Sequence, residues 1–389
     1  MANAFNDTSS IAGLVQTAYD RYVEFALRAQ PMIRAVADKK PVQQAMPGSS
    51  VVFSLYNDLA AATSTLTETT DPDAVALSNV DTVSVTLNEY GNASLVTRKL
   101  QLFSLSDVDP AVADIIAFNM ADSLDIVAQN TLRQGTNVIY GGTRTSTATV
   151  TASDTIDSAD IRKAVAKLRS NKAVPRAGSL YWVGIHPEVS HDLSAESGSV
   201  GWRDTHAYTD ASLGNLFAGT IGTYEGAFFV ENSRMFSAKD GADQTDLATA
   251  PAVSGVSGEF TIVAANAAFG GKAEVGDKIA GTNVGASAKI TAISVGATNT
   301  TFTVDVANSG TVGTNTLTVT PVTRVFSTIV CGQQAMAQAV AEEPHVVIGP
   351  VVDKLMRHRP MGWYGVLGFA RYREEALYRI ETGSSIAAL

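Results

Sequence analysis

This chain has a single cysteine, no long apolar run and no signal sequence, and each absence excludes a class of protein. The only cysteine, Cys331, cannot form an internal disulfide, which excludes a disulfide-stapled extracellular domain. No stretch approaches the roughly 18 consecutive apolar residues of a membrane-spanning helix. The N-terminal residues lack the basic and apolar regions of a signal peptide. We therefore expect folding in a reducing cytoplasm, without export or membrane insertion.

Charged residues are also scarce, which bears on what the surface of the chain contacts. Only 17% of the 389 residues are charged and 45% are hydrophobic, whereas about a quarter of the residues in a typical globular protein are charged. We expect partners to cover much of the surface. The net charge of −10 argues against general nucleic-acid binding, because affinity for phosphate rises with each Lys or Arg placed against it. The length predicts two or three compact units.

Motifs that indicate an enzyme are missing as well. The sequence contains no G-x-S-x-G turn for a nucleophilic serine, and no glycine-rich phosphate loop follows a predicted strand. His186 and His191 form the closest histidine pair, but their spacing does not match the pattern that places two zinc ligands on one helical face. Cys331 ends an apolar run and is interpreted as a small buried hydrophobe. We predict no catalytic, cofactor-binding or metal-binding residues.

The first segment combines a helix pattern with two separated strand patterns. Apolar residues three or four apart run from Ile11 to Ala29 and stop before Pro31, which predicts an amphipathic helix. An alternating run from Ser50 to Tyr56 predicts a strand, and a second run at 83–87 predicts another. The polar segment between them is much longer than a compact hairpin loop needs. A loop of this length is usually functional or disordered.

A long helix is predicted next. The Asp-Pro pair at 109–110 provides a cap and a first helical position for an apolar stripe from Val112 to Leu132, and the helix should end at Gly135. Asp122 and Asp125 lie three residues apart on this helix without a His or Lys companion. We interpret them as part of a solvated face.

The segment that follows alternates helix and strand signals. Asp157 and its apolar neighbours indicate the start of a helix that runs to Ser170, and Leu180 to Ile185 predicts a buried strand. Pro187 then starts another helix, with Glu188 at its positive end. This alternation predicts a mixed α/β central domain.

The composition changes between 237 and 322, where Gly, Ala, Thr and Val dominate and arginine is absent. Short alternating runs separated by turns predict β-strands there. We interpret this range as an inserted β-domain that folds independently, and a resistant fragment of that size in limited proteolysis would support this. After it we expect a strand from Arg324 to Val330, a helix near Gln333 to Ala341, and strands at 346–348 and 364–371.

Four runs of residues in the centre of the chain carry a family resemblance. They are Trp182-Val-Gly-Ile-His-Pro-Glu-Val-Ser-His-Asp-Leu193, Gly201-Trp-Arg203, Asn215-Leu-Phe-Ala-Gly-Thr-Ile-Gly222 and Phe228-Phe-Val-Glu-Asn232. A strand ending in His-Pro, a Trp-Arg pair, a Gly-x-Ile-Gly turn and a Phe-Val-Glu strand in this order resemble the major capsid proteins of tailed bacteriophages. With the insertion set aside, the resemblance covers most of the chain.

The resemblance implies an α+β chain with the tailed-phage major capsid fold and a small all-β insertion domain. In the terms of that fold, the domains are an N-arm (1–47), an extended loop (48–107), a peripheral domain with the spine helix (108–154), an axial domain (155–236), the inserted β-domain (237–322) and the completion of the axial and peripheral domains (323–389).

The resemblance also implies a function. A major capsid protein is a structural subunit that assembles with itself into pentamers and hexamers of an icosahedral shell, here around phage double-stranded DNA. Scaffolding, portal and decoration proteins are further candidate partners, and DNA would be enclosed without sequence-specific binding. The expected location is the virion, assembled in the cytoplasm of the host bacterium. The alternatives are an encapsulin-like shell protein of a cellular nanocompartment and an α/β enzyme without a recognisable motif.

Some capsids of this fold join their subunits by a covalent bond between a lysine of the extended loop and an asparagine of a neighbour. Segment 41–97 contains no lysine, so we predict a non-covalent shell. The charges of this segment are all negative: Asp58, Glu68, Asp71, Asp73, Asp81 and Glu89. The densest cations lie near the C-terminus: Lys354, Arg357, Arg359, Arg371, Arg373 and Arg379.

These opposite charges predict a contact between subunits. The candidate acidic residues are Asp58, Glu68, Asp71 and Asp73, and the candidate partners are Arg357, Arg359, Arg371 and Arg373. The alternative is a solvated acidic loop, with the arginines paired to Glu374, Glu375 and Glu381 beside them.

Overall fold

The computed structural model describes residues 31–41, 50–56, 61–63, 65, 66, 68, 80–103, 108–196, 220–244, 248–264, 273–313, 316–350, 355 and 357–386. The helix predicted over 11–29 lies outside the described residues. The chain divides into two compact units. The first contains residues 1–28, 40–126 and 339–368, and the second contains residues 29–39, 127–338 and 369–389.

Four α-helices are described, together with short 3-10 helices at Ile33–Val36, Thr147–Thr149 and Glu374–Ala376. The α-helices are α1 (Arg98–Phe103), α2 (Val108–Arg133), α3 (Ser158–Ser170) and α4 (Pro187–Ala195). Helix α2 matches the long helix expected from the apolar stripe. No helix in the described part of the chain combines the length and apolarity needed to cross a bilayer.

Strands account for more of the described chain than helices do. The strands are β1 (Asp38–Pro41), β2 (Ser50–Tyr56), β3 (Val80–Thr86), β4 (Asn88–Thr97), β5 (Val138–Tyr140), β6 (Tyr181–Ile185), β7 (Thr220–Tyr224), β8 (Ala227–Glu231), β9 (Ser237–Asp243), β10 (Ala248–Ser254), β11 (Thr261–Ala264), β12 (Lys278–Ala280), β13 (Ile290–Val295), β14 (Thr300–Val304), β15 (Thr316–Thr320), β16 (Val322–Cys331), β17 (Met336–Ile348), β18 (His358–Arg371) and β19 (Leu377–Thr382).

A two-stranded ribbon and a four-stranded sheet account for most of the first unit. Strands β2 and β3 pair antiparallel from Ser50 opposite Thr86 to Tyr56 opposite Val80, which confirms both predicted strands. The four-stranded sheet has the order β1-β17-β18-β4. Within it, β18 and β4 keep an uninterrupted antiparallel register over ten residue pairs. The extended ribbon and the long paired strands are therefore the frame of this unit.

The second unit is built on a seven-stranded mixed sheet. Its main path is β5-β19-β16-β6-β8-β7, and β9 pairs with β16 off this path. Alternate residues of the central strands belong to two separate cores, because successive side chains of a strand point to opposite faces. Val183 and Phe229 pack with Leu168 of α3 on one face. Trp182 and Phe228 belong to a second core with Leu132 from the end of α2. Both faces of the sheet are thus covered.

The helices of this unit begin where the sequence predicts them to begin. The side chain of Asp157 accepts a hydrogen bond from the Asp160 N–H at 2.8 Å and caps α3. Pro187 is the first residue of α4, and Nδ1 of His186 accepts from the Glu188 N–H at 3.3 Å. The strand predicted over 180–185 is β6, and all five of its residues are buried. These predictions are confirmed.

The insertion has a sheet of its own with the order β12-β15-β10-β11-β14-β13. Ile262, Phe302, Leu317 and Val319 are fully buried in its core. This sheet spans 248–320, so it begins later than the predicted boundary at 237. Strand β9 has the small polar residues of the insertion but pairs with β16 in the mixed sheet. The amino-acid composition of β9 does not indicate that it pairs with β16. Independent folding of the insertion stays a prediction.

Two local predictions are wrong. The segment expected to be helical near Gln333 to Ala341 is instead a turn at 333–335 followed by the start of β17 at Met336. Residues 335–339 are buried there, and the pairing of β17 in the four-stranded sheet outweighs the helix preference of its Ala and Gln residues. The prediction that Asp122 and Asp125 belong to a solvated face of α2 is also wrong for Asp125, which is only 2% exposed. Asp122 is half-buried. The strands predicted at 346–348 and 364–371 are parts of the longer β17 and β18.

Candidate subunit contact site

The acidic half of the predicted contact follows the β2–β3 ribbon. These strands flank segment 57–79, which contains all four candidate carboxylates. Asp58, Asp71 and Asp73 lie outside the described residues. Glu68 is described and exposed, and Glu89 is exposed on β4.

The basic half begins at the start of β18. Arg357 and Arg359 are both exposed, and their two-residue spacing on extended chain directs them to the same side. The backbone of Arg357 is fixed, because its carbonyl accepts a hydrogen bond from the Arg98 N–H at 2.8 Å. Arg359 lies opposite Val96 in the β4–β18 register. Arg359 on the paired strand β18 and Arg357 directly before it thus lie on the same side of the extended chain.

The other candidate arginines, Arg371 and Arg373, lie in the second unit, and this unit contains arginines that pair within the chain. Arg371 contacts Glu374 at 2.9 Å, and Arg379 contacts the buried Glu381 at 3.0 Å. The 3-10 helix at 374–376 places Glu374 close to Arg371. The alternative of pairing within the chain therefore holds for these two arginines. Arg373 is exposed.

Exposed apolar side chains on the first unit form a feature that the sequence alone did not reveal. Leu95 on β4 is 62% exposed, and Val346, Val347 and Ile348 at the end of β17 are also exposed. A shallow groove of about 500 Å³ lies on the same sheet, between Gly91, Val347 and Pro360 among others. The apolar run at 346–348 predicts a strand, but the sequence does not show which strand faces lack a covering layer.

The same sheet also carries negative charge. The pKa of the Tyr364 phenol is raised by partial desolvation and by the nearby carboxylates of Glu89 and Glu342. Glu89 lies on the same face of β4 as the exposed Leu95, because an even number of residues separates them, so negative charge borders exposed apolar area there. Contacts between protein subunits combine apolar area with a polar rim in this way.

The side chains elsewhere in the chain that could be reactive, Cys331 and His186, have structural roles. Cys331 is fully buried, and burial raises the pKa of its thiol to about 12, so it is not a nucleophile at neutral pH. Burial lowers the pKa of His186, which keeps the imidazole neutral and its Nδ1 free to cap α4. In the described part of the chain, no three His, Cys, Asp or Glu side chains are grouped so that they could hold a metal ion.

Comparison with solved structures identifies the class of fold. The chain is similar to the capsid asymmetric unit of the cyanophage Pam1, with a TM-score of 0.61 and 11% identity over 99% of this chain and 100% of the other. It is similar to the capsid of Ralstonia phage GP4, with a TM-score of 0.60 and 12% identity over 95% and 96%. The acid-stable capsid of Helicobacter pylori bacteriophage KHP30 gives a TM-score of 0.56 and 12% identity over 98% and 99%. The fold is therefore the tailed-phage capsid fold, as the resemblance implied.

The family follows from the sequence. Residues 111–385 match the model of the phage capsid protein family, and the chain belongs to that family. No curated protein sequence gives a significant match. The chain is thus a major capsid protein, a structural subunit that assembles into a shell, and its place is in the virion. The nanocompartment alternative is not favoured.

Proposed function

We propose that copies of this chain form the pentamers and hexamers of an icosahedral shell that encloses double-stranded DNA. The observation that carries the proposal is the family match over 111–385. The net charge of −10 is consistent with it, because an inner wall that bound phosphate tightly would hinder packaging and release. The role is structural rather than catalytic. Assembly would take place in the cytoplasm of the host, with scaffolding, portal and decoration proteins as further partners.

The described elements support an assignment of parts within this shell subunit. Helix α2 would be the spine helix of the peripheral domain, and the β2–β3 ribbon would be the stem of the extended loop. The mixed sheet with α3 and α4 would form the axial domain, interrupted by the insertion. Residues 1–47 would be the N-arm.

The proposed contact pairs loop carboxylates of one subunit with arginines of its neighbour. Arg357 and Arg359 are proposed first, because both are exposed, Arg359 lies in the β4–β18 register and Arg357 directly precedes that strand. Arg373 is exposed too, and Arg371 contacts Glu374 in the same chain. Each exposed pair would contribute at most about 1 kcal/mol, so its effect would be mainly on register and orientation. Repetition over a closed shell would make this small term decisive.

Charge reversal tests the contact. The variant Glu68→Lys/Asp71→Lys/Asp73→Lys should give folded subunits, with an unchanged far-ultraviolet circular dichroism spectrum, that do not form shells in electron micrographs. High salt should weaken assembly of the unmodified chain, because exposed charges are screened beyond about 10 Å at 0.1 M salt.

Two further variants separate the contact from a general charge effect. The amide variant Glu68→Gln/Asp71→Asn/Asp73→Asn keeps the side-chain shapes and should assemble less well than the unmodified chain but better than the triple lysine. Adding Arg357→Glu and Arg359→Glu to the triple lysine should restore shells. Normal shells from the triple lysine at low salt would refute the electrostatic contact, although not the shell function itself.

A further inference from the structure

The base of the insertion meets strand β9 through a set of opposite charges. Strand β9 has only three charged residues, Lys239, Asp240 and Asp243. Each one contacts an opposite charge that the insertion supplies. Because β9 pairs with β16 in the mixed sheet, these contacts join the insertion to the body of the second unit.

The centre of this set is buried. Nζ of Lys239 lies 2.6 Å from Oδ1 of Asp277, whose side chain is only 1% exposed. The same Asp277 oxygen accepts a hydrogen bond from the Val322 N–H at 3.2 Å, and its other oxygen accepts from the Glu274 N–H at 2.8 Å. The Asp277 carboxylate therefore connects a loop of the insertion to the start of β16. A buried carboxylate with this many donors has one favourable arrangement.

Glu274 widens the contact around Lys239. Its carboxylate lies 2.9 Å from Lys239 Nζ and 3.3 Å from Arg324 Nη2 on β16. The hydrogen bond from Lys239 lowers the pKa of Glu274, which keeps this carboxylate ionised at neutral pH. Two carboxylates of the insertion thus bind two cations of the mixed sheet.

The remaining two pairs have the opposite polarity. Nζ of Lys278 lies 2.6 Å from Oδ1 of Asp243. Nζ of Lys289 lies 3.1 Å from Oδ1 of Asp240 and donates to the backbone carbonyl of Lys239, also at 3.1 Å. Along β9 the order of charges is plus, minus, minus, and the insertion supplies minus, plus, plus. A shift or rotation of the insertion would place like charges against each other.

One pair extends to the end of the long helix. Arg133, the last residue of α2, lies 3.3 Å from Oδ2 of Asp240, and its guanidinium carbon is 3.3 Å from the centre of the Phe236 ring. Asp240 therefore bridges Arg133 and Lys289, so a single carboxylate links the helix terminus to the insertion.

We infer that β9, with Arg324 and Arg133, forms an electrostatic clamp that holds the insertion in one orientation on the subunit. The insertion is then a rigid extension of the mixed sheet and not a domain on a flexible tether. The buried Lys239–Asp277 pair fixes its position, and the two outer pairs of reversed polarity fix its rotation. This inference concerns the isolated subunit and does not depend on the shell function.

Distance measurement between two spin labels tests the clamp in the full chain. Val174→Cys and Val295→Cys place labels at exposed positions of the body and of the insertion, where the native side chains are 57% and 55% exposed. Cys331 is fully buried and should not be labelled. The unmodified clamp should give a single narrow distance distribution. Lys239→Met should broaden it roughly two-fold or more, because it leaves the Asp277 charge buried without its partner.

Exchanging the charges of Lys278 and Asp243 distinguishes loss of the clamp from misfolding. Lys278→Asp alone should broaden the distribution, and Lys278→Asp with Asp243→Lys should restore its width. Lys167→Glu, a charge reversal on an exposed face of α3, is the matched control and should leave the width unchanged. A broad distribution in the unmodified chain, or the same narrow one in both Lys239→Met and Lys278→Asp, would overturn the clamp.

Discussion

Burial of Asp160 on α3 disfavours the ionised form of its carboxyl group. The residue is 4% exposed, and its Oδ2 has no hydrogen-bond partner among the described residues. Burial, reinforced by the nearby Asp157, raises the pKa of Asp160 to about 6, and Lys163 at 3.5 Å offsets only part of this. Between the usual pKa of 3.8 and this value, the folded state holds a proton that the unfolded state has lost. The free energy of unfolding therefore falls as pH rises through this window.

Asp160→Asn should remove this penalty. At pH 7.5 we expect the variant to be more stable by about 1 to 2 kcal/mol, because the positive end of α3 already offsets part of the desolvation. Near pH 4 the two proteins should be equally stable. Denaturant unfolding of the unassembled subunit at the two pH values measures the difference.

Asp154→Asn is the control with the opposite sign. Burial raises the pKa of Asp154, but hydrogen bonds from Thr151 and Arg144 outweigh it and lower the pKa overall. Its stabilisation is present above the unfolded pKa and is lost as pH falls through the folded one, so the amide variant should be less stable at pH 7.5. Equal stability of Asp160→Asn and the unmodified chain at pH 7.5 would show that Asp160 carries no penalty.

Local sequence signals predicted individual residues well wherever the cause was local. Asp157 and Pro187 act within one turn of the helices they begin, so their roles could be inferred from neighbouring residues. The burial of Asp125 and Asp160 could not be inferred from neighbouring residues, because it depends on elements distant in sequence. The β9 clamp was missed for the same reason, since Lys239 and Asp277 are 38 residues apart.

At the scale of elements, the same contrast separates α2 from β17. The stripe of α2 is a strong periodic signal, and its predicted bounds agree with the structure to within about two residues. The start of β17 has a helix-forming composition, but it is a strand because its partners in the sheet provide the backbone hydrogen bonds. Sheet pairing is non-local, so composition alone favoured the wrong element.

Close packing between β4 and β18 leads to a prediction for Gly362. A Cβ atom there would lie 2.7 Å from the Asn92 carbonyl oxygen and 3.0 Å from the Ala93 side chain. Gly362→Val should therefore force the two strands apart and destabilise the first unit by about 1 to 3 kcal/mol. Hydrogen exchange of the amides in β4 and β18 on the unassembled subunit should rise accordingly.

The matched control is Gly313→Val in the insertion. Apart from its chain neighbours, no described residue has an atom within 4 Å of the position that a Cβ would take at Gly313, so exchange in β4 and β18 should be unchanged and the stability should stay within about 0.5 kcal/mol. If Gly362→Val leaves the exchange of both strands at the level of the unmodified chain, the close approach does not limit this position.

At the scale of the whole molecule, the sequence resemblance led to the right fold and family although the solved capsids are only 11–12% identical. The order of elements survives such divergence because each element needs only a hydrophobic pattern and its end signals. The contact surface does not follow from that order. Which strand faces are exposed, such as 346–348, depends on which layers pack against them, and the order of elements does not specify that.

The last prediction concerns how the assembled shell resists dissociation. An amide bond between subunits through the extended loop requires a lysine amine there, and segment 41–97 contains none. A shell disulfide through Cys331 is also disfavoured, because this thiol is fully buried and its pKa is raised to about 12. We therefore expect mature particles boiled in detergent to give one band at the monomer mass, with or without reductant. Particles treated with glutaraldehyde provide the positive control for a ladder. A ladder of multimers from untreated particles would contradict the prediction and would direct the search for the amine to lysines outside segment 41–97, such as Lys99 on α1.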